Sequence, residues 1–506
     1  MKYLIGVDLG TQSTKAGIAD EHGVMRAESA CETNLIYPEE GAIIQNPEEM
    51  LASVIGAIGD VMGASGVNAS DVEGICIDGQ MAGVMGVNRA GMAAIPYDSW
   101  LDTRCGSARR AFLDYGEERV IGITGSPISY TAGPKIMWWK ENHPEAYEKI
   151  HKFVQPAAYC TMRLAGLGGD GAFYDHTYLH FSGFADTAHR VWSEELTEAL
   201  GVDASKFPRI VRPSDIVGGL AAEMAERCGL VEGTPLVAGC GDTAASSFGA
   251  GVTKPGLMFD VAGTASVLAC AVGEFVPDTK HKTIMFAPSV VEGLYTPMAY
   301  INGGGMCLKW FRDDVLGKTA TYAELDSLAA GVRPGSENLL FVPQFSGRVC
   351  PNDTLVRGSY IGLQWIHGKG HLFRAIMEGI AYEYAIYKGI IDELVPGQSY
   401  ERILSIGGGS VSELFTKIKA DVLGIPVSTG AVADTALRAC YSIAGYGVGM
   451  TDDIASLTVR PDDYHGSTAP DVSSRHEYDE RKDIFEGLYG ALHDTYERLL
   501  GLQAMG

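Results

Sequence analysis

Apolar residues run from Tyr3 to Val7, give way to the polar turn Asp8-Leu-Gly-Thr-Gln-Ser13, and resume in short apolar and polar steps from Thr14 to Ala19. That spacing predicts strand, glycine turn, strand, and hence a β-hairpin. Asn46 then caps a helix with Pro47 at its first position and Glu48 and Glu49 in its first turn. Its apolar stripe is Leu51, Val54, Ile55, Ile58, Val61 and Met62. Val72 to Ile77 reads as a buried strand that ends at Gly79-Gln-Met-Ala-Gly83. From Ile128 to Pro213 the pattern loses its period and gains aromatics and histidines, as an insertion that adds to a site rather than to the main sheet. Helix-and-strand spacing returns at Val217, and Leu236 to Ala238 delivers a Gly-Cys-Gly turn with Asp242 at its tip.

A second hairpin pattern spans Leu257 to Leu268, with Gly263-Thr264 where the first has Gly10-Thr11. The echo is a weak internal repeat and predicts two halves of related fold. Arg402 to Ile406 reads as a strand and Gly407 to Ser410 as a turn. Glu413 to Leu423 follows as a helix that buries Leu414, Phe415, Ile418 and Val422 and stops at Gly424. The last helix, from Asp483 to Leu500, carries Ile484, Leu488, Leu492, Tyr496 and Leu499 on one predicted packing stripe.

At 506 residues the chain exceeds one ordinary core and predicts two large domains. A formal charge of −24 excludes a phosphate backbone as partner, since that demands a basic face. No apolar run approaches the ~20 residues that span a bilayer. The start, Met1-Lys-Tyr-Leu-Ile, enters a strand without a charged-then-apolar leader. The ten cysteines form no C-x-x-C pair, so reduced, buried thiols and a cytoplasmic location are expected.

Asp242 is the carboxylate whose setting suggests chemistry, although an acid after glycine is also a common turn or helix cap. Asp8 to Lys15 is not a P-loop, because the spacing differs and a strand follows instead of a helix. Such a turn can still cradle phosphate: Gly10 admits a close approach, and Thr11 and Ser13 offer donors. Asp8 would then face the metal that neutralises the phosphates. Gly263-Thr-Ala-Ser266 repeats that chemistry, and Gly407-Gly-Gly-Ser410 suits contact with a nucleotide ring or phosphate. Each turn alone reads equally well as a plain β-turn. Gln80-Met81 and Trp100-Leu-Asp-Thr-Arg104 offer polar groups beside an apolar wall, as sugar hydroxyls require, with a surface ion pair as the competing reading of Asp102 and Arg104. His176, His180 and His189 lack metal-ligand spacing and read as structural.

At this point the chain resembles the FGGY carbohydrate kinases, most closely their xylulokinase-like branch. Gly358-Ser-Tyr-Ile-Gly-Leu363, seven residues, then His371 to Glu378 is similar to the family's C-terminal signature. Pro134 to Asn142 is similar to the N-terminal one, with Ala132 where Pro, Ser or Thr is usual. The resemblance implies an α/β fold of two actin-like (ribonuclease H-like) domains, with mixed β-sheets flanked by helices around a deep cleft. It implies boundaries near 1–250, for sugar binding and the catalytic Asp, and 251–506, for ATP.

It further implies Asp242 as the base that accepts the sugar hydroxyl's proton, Asp8 as the metal residue, and ATP with Mg²⁺ as cofactors. The nucleotide side is expected at Gly10, Thr11, Gln12, Ser13, Lys15, Gly263, Thr264, Gly305, Gly408, Gly409 and Ser412. The sugar side is expected at Gln80, Met81, Ala82, Trp100, Asp102, Arg104, Asp242 and Thr243. Departures from the pattern are Ala82 for a histidine, Thr243 for Asn or Gln, and His180 for a small residue, all toward the sugar. Arg438 replaces a glycine toward the adenine.

The resulting expectation is phosphorylation of a pentulose or related small sugar, D-xylulose to xylulose 5-phosphate first. Domain closure would exclude the water that otherwise hydrolyses ATP. A ketose, polyol or aldonate kinase stays open, as does an actin-like ATP sensor or scaffold without phosphoryl transfer. Expected partners are a small sugar and, as an assembly, a homodimer, with no nucleic acid and no membrane.

Overall fold

The first hairpin forms where the pattern puts it: β1 (Tyr3–Leu9) pairs antiparallel with β2 (Ser13–Asp20), which continues into β3 (Met25–Glu32). β4 (Val72–Gly79) adds parallel to β1, so that Asp8 and Asp78 stand opposite each other at the two strand ends. Within the region read as an insertion, β5 (Phe173–Asp175) and β6 (Arg209–Val211) make a short parallel pair. β7 (Ile216–Gly219) and β8 (Pro235–Val237) complete a six-stranded sheet of order β7-β8-β4-β1-β2-β3.

The second hairpin, β9 (Leu257–Ala262) with β10 (Ser266–Cys270), builds the same framework. β11 (Tyr295–Ile301) pairs antiparallel with β10, and β12 (Arg402–Ile406) parallel with β9. β13 (Val427–Thr429) and β14 (Gly466–Thr468) extend it to β14-β13-β12-β9-β10-β11, and a seventh strand, Met285–Pro288, lies beyond β11. Position by position, parallel and antiparallel pairings match those of the first sheet. The chain order of the two far strands is exchanged, and the second sheet carries one strand more, Met285–Pro288. The echo of Gly-Thr turns thus marks a true structural repeat.

This computed structural model describes residues 1–263, 265–349, 351–430 and 434–503. One unit holds Met1–Thr253, Phe286–Tyr295 and Val432–Arg460; the other holds Lys254–Met285, Thr296–Ala431 and Pro461–Gly506. The helices used below are α1 (Pro47–Ser65), α2 (Pro156–Leu164), α3 (Asp242–Gly249), α4 (Lys369–Leu394), α5 (Glu413–Leu423), α6 (Thr435–Gly447) and α7 (Val472–Gln503). A cut at residue 250 separates α6 from the sheet it covers. Glycines make that packing close: a Cβ on Gly6 would stand 2.8 Å from the Cys440 Cβ.

Strand alternation sorts the first core. Ile5, Val7 and Leu9 face a layer containing α1 and α2, while Leu4 and Cys76 face α3 and α6 with Phe248, Leu437 and Tyr441. The stretch read as an insertion therefore contributes α2 to the main sheet. In the other unit α4 packs against α5 and α7. α7 begins eleven residues before the predicted start, and its buried face is Tyr478, Phe485, Leu488 and Tyr496. Ile484 and Leu499, expected on that face, are exposed: Ile484 lies about 100° round the helix from its neighbour Phe485, and Leu499 lies beyond the last buried residue, Tyr496. Among the described residues no helix is long and apolar enough to cross a membrane, and nine cysteines are free.

Candidate active site

Three segments of the first unit meet at the ends of β1, β4 and β8. The Gly10 turn closes through its N–H to the Ser13 carbonyl at 3.1 Å, and a Cβ on Gly10 would stand 2.9 Å from that oxygen. Thr11 is held by its neighbours: its hydroxyl donates to Gln80 Oε1 at 3.3 Å and accepts Trp100 Nε1–H at 3.0 Å. Its carbonyl accepts from Thr33 Oγ1 and Gln45 Nε2, and Gln12, itself exposed, accepts the Thr33 N–H through its carbonyl. Gln80 spends its amide on Gln45 Oε1 at 2.7 Å and Gly10 O at 3.4 Å. Gly79 bridges to Gly241, and a Cβ on Gly241 would overlap the Met81 sulfur. Thr11, Gln80, Met81, Trp100 and Asp242 are therefore brought together.

Asp242 opens α3. One oxygen accepts the Thr243 N–H at 2.6 Å and lies 3.3 Å from the Thr243 hydroxyl. Oδ2 takes no hydrogen bond from the described residues. Burial, then the nearby Asp8 charge, pushes its carboxyl up to about 7, against the Thr243 bonds. Asp8 is also raised, first by burial, and its side chain contacts Asp78. Asp78 is fully buried with one oxygen unpartnered, and burial plus the charges around it hold it well above the carboxylate range. Lys15 donates to Asp434 at 3.1 Å, so its charge is shared with a further acid.

The Trp100–Arg104 segment divides. Trp100 reaches Thr11, but Asp102 is buried and accepts from Ile43 N–H and Arg104 Nε, both at 2.9 Å, and from the Arg104 N–H at 3.1 Å. Arg104 also bonds Asp98 at 2.7 Å and lies 4.4 Å over Trp138. This pair is an internal brace instead of a surface ion pair. Ala82 holds a left-handed backbone, φ +61°, with its carbonyl facing the buried Lys135 ammonium at 3.4 Å. Both ring nitrogens of the buried His180 are unpartnered, and burial lowers its pKa to about 3.

The second unit contains a cavity of about 540 Å³ lined by Gly263, Gly305, Gly408, Gly409 and Ser412. Five residues expected at a nucleotide from distant parts of the sequence share this one space. A Cβ on Gly305 would overlap the Gly263 carbonyl, so those two turns are in direct contact. Phe373, Met377 and Phe415 supply an apolar wall. Gly263 itself is not left-handed, contrary to what a strained turn would need, and a Cβ there meets nothing nearer than 3.9 Å. Thr264 lies outside the described residues. Arg438, expected toward adenine, belongs to the first unit and donates to Leu457 O at 3.4 Å.

Sequence reasoning missed Asp78, although it ends the apolar run Val72–Ile77. It missed Asp434, whose role depends on a return of the chain. It missed Asp326, a half-buried carboxyl on the cavity wall beside Ser412, raised by burial, for which no motif gave a signal.

Residues 3–249 match the FGGY family of carbohydrate kinases, N-terminal domain, and residues 261–438 match its C-terminal domain. A xylulose kinase of Lactococcus lactis subsp. lactis (strain IL1403) is 30% identical over 470 residues, 90% of each chain. A gluconokinase of Bacillus licheniformis is 27% identical over 517 residues, 99% of this chain and 98% of that one. The crystal structure of xylulose kinase from Rhodospirillum rubrum superposes with a TM-score of 0.87 at 25% identity, covering 98% of this chain and all of the other.

Proposed function

This chain belongs to the FGGY family of carbohydrate kinases, and from that premise we propose that it phosphorylates a primary hydroxyl of a pentulose or closely related small sugar, with ATP as donor and D-xylulose as first candidate. The observation that carries the reading is Asp242: a carboxylate raised to about 7, with one oxygen free, beside the Gln80–Met81 strand end. A base with a pKa near the working pH combines a large ionised fraction with useful proton affinity.

In this reading Asp242 Oδ2 takes the proton of the acceptor hydroxyl. The hydroxyl oxygen, not the carboxylate, bonds to the γ-phosphorus as the bond from that phosphorus to the ADP oxygen breaks, and ADP leaves with the electron pair. The glycine-lined cavity takes the nucleoside, Gly305 and Gly263 leaving backbone exposed for the phosphates. The Gly10 turn, fixed by Trp100 and Gln80, offers further donors. Little covalent chemistry is required of the protein, so rigid positioning supplies most of the acceleration.

A magnesium ion fits the donor set. Asp8 is half-buried beside Asp78, whose oxygen lacks a partner, and Mg²⁺ needs only one or two carboxylates besides phosphates and water. Among the described residues no larger metal-binding cluster forms. Asp8, with Asp78 behind it, would hold the ion, and a bound ion supplies neutralisation of phosphate charge.

A second reading, an aldonate or polyol as acceptor, draws on Ala82, whose methyl offers the sugar side no donor while its carbonyl faces Lys135, and on the gluconokinase likeness over nearly the whole chain. ADP release measured over pentuloses, hexuloses, polyols and aldonates decides between them. The highest kcat/KM is expected for a pentulose; a best substrate among aldonates or polyols would replace it with the second reading.

A further inference from the structure

Asp242 is aimed by a peptide whose polar atoms are all engaged. The Cys240 carbonyl accepts the Gly79 N–H at 3.1 Å, and the Gly241 carbonyl accepts the Ala245 N–H at 2.8 Å in the first turn of α3. The Gly241 N–H donates to the Thr177 hydroxyl oxygen at 2.9 Å. The Tyr178 hydroxyl faces both the Gly79 carbonyl, at 2.8 Å, and the Cys240 carbonyl, at 3.0 Å.

Both side chains come from the single turn His176–Phe181, which Asp175 caps by accepting the Thr177 N–H at 2.9 Å. The Thr177 hydroxyl proton goes to that same carboxylate, which leaves its lone pairs for Gly241. Asp175, Thr177 and Tyr178 are all buried, so solvent cannot substitute for any of these bonds. The turn also ties Gly79, at the start of the sugar-side loop, to Gly241, at the start of the catalytic helix.

We propose that Thr177 and Tyr178 are positioning residues for phosphoryl transfer: they fix the Cys240–Gly241 peptide and so the direction of the Asp242 carboxylate, a role that rests on the reading of Asp242 as the base. Their polar atoms are spent on backbone groups of Gly79, Cys240 and Gly241 and on Asp175. Asp175 orients the Thr177 hydroxyl, and Gly241 without a side chain lets Met81 close over the same peptide. Because proton transfer tolerates little misplacement, loosening this peptide acts on turnover before it acts on binding.

The test uses Thr177→Val, which keeps the shape but loses both hydroxyl bonds, Thr177→Ser, which restores them, and Tyr178→Phe, which keeps the ring. Turnover is counted per folded molecule from the stoichiometry of nucleotide binding. Thr177→Val is expected to lower kcat by about 10- to 100-fold, with KM for ATP moved less than about twofold. Thr177→Ser is expected to recover most of that loss. Tyr178→Phe is expected to lower kcat about 5- to 10-fold.

A merely structural role would reduce the folded fraction and leave kcat per folded molecule alone, and that result would overturn the proposal. If Thr177→Val does not fold, Tyr178→Phe decides by the same criterion. Asp242→Asn is measured alongside. An active Asp242→Asn sinks the base itself; an inactive one with undiminished Thr177→Val and Tyr178→Phe sinks only the positioning role.

Discussion

In the first unit Asp8 stands two residues before the turn glycine, Gly10; in the second, Asp260 stands three residues before Gly263. The strands correspond, β1 with β9, but a shift of one residue turns a side chain to the opposite face of a sheet. Asp8 consequently joins Asp78 and Asp242 in a group of acids whose nearest cation, Lys15, is already bonded to Asp434. Asp260 instead enters a closed core: it pairs with the fully buried Lys419 and accepts from Tyr384 at 2.8 Å and from Ser405. One copy of the framework leaves negative charge open to chemistry. The other neutralises it and presents glycines to a cavity. Under the proposed function, the comparison teaches that a duplicated fold can divide labour by moving one acid along one strand.

The largest expected effect is at the open acids. Asp242→Asn should lower kcat by roughly 10²- to 10⁴-fold, the range for losing a general base, with nucleotide affinity unchanged. In the wild type kcat/KM should fall as pH drops through about 7, since the protonated acid cannot accept the sugar's proton. A variant that keeps a third of its turnover, or a flat profile between pH 6 and 8, would remove the base from this residue.

The closed acid is tested by stability. Lys419→Met strands Asp260 in the core and should cost about 3–5 kcal/mol, as for other broken buried pairs. Lys15→Ala, whose partner Asp434 is near solvent, should cost less than about 1 kcal/mol. Denaturant melts of both variants read the contrast directly. Equal losses would mean that the two units handle charge alike.

How far this contrast could be read beforehand depends on the range of each signal. Both hairpins, the Asn46 cap and the α5 stripe, apart from the half-buried Leu414, were legible, because turn glycines, caps and periodicity are local. The Asn46 side chain does accept the Glu48 N–H, at 2.9 Å, and Ser412 caps α5 at 3.1 Å. What the sequence hid was long-range. Nothing near Thr435 says that its helix covers β1, although Gly6 and Gly17, where a Cβ would meet Cys440 and Tyr441, left room for it. Asp78 becomes notable only once β4 is registered against β1. Gln80 and Asp102 have the residue types a sugar site needs, yet their polar atoms are committed within the protein.

A moderate effect is expected where glycine meets the cavity. A Cβ at Gly263 meets nothing nearer than 3.9 Å among the described residues, so Gly263→Val should fold. Its branched side chain would stand in the space the phosphates need, and ATP affinity should weaken about tenfold or more. Calorimetry on a variant with native circular dichroism checks this. Undiminished affinity would leave the cavity with a structural role only and break the division of labour between the units.

The smallest expected effect sharpens the sugar side of the comparison. Ala82 already holds φ +61°, a region in which histidine is tolerated better than most residues, and its carbonyl stays with Lys135 whatever the side chain. Ala82→His therefore adds an imidazole donor with little new backbone strain. One hydrogen bond to a substrate hydroxyl is worth about 1 kcal/mol, or roughly 5-fold in affinity. With the Gln80 amide and the Asp102 carboxylate occupied internally, few polar groups on this side remain for a ketose, so such a gain should be visible. The expected outcome is a rise of about 5-fold in kcat/KM for D-xylulose, carried by KM for the sugar, with KM for ATP unmoved. If wild type already prefers D-xylulose to every other acceptor and the substitution changes nothing, the contact comes from Thr243 or Trp100. The first unit would then recognise its sugar without any side chain at position 82.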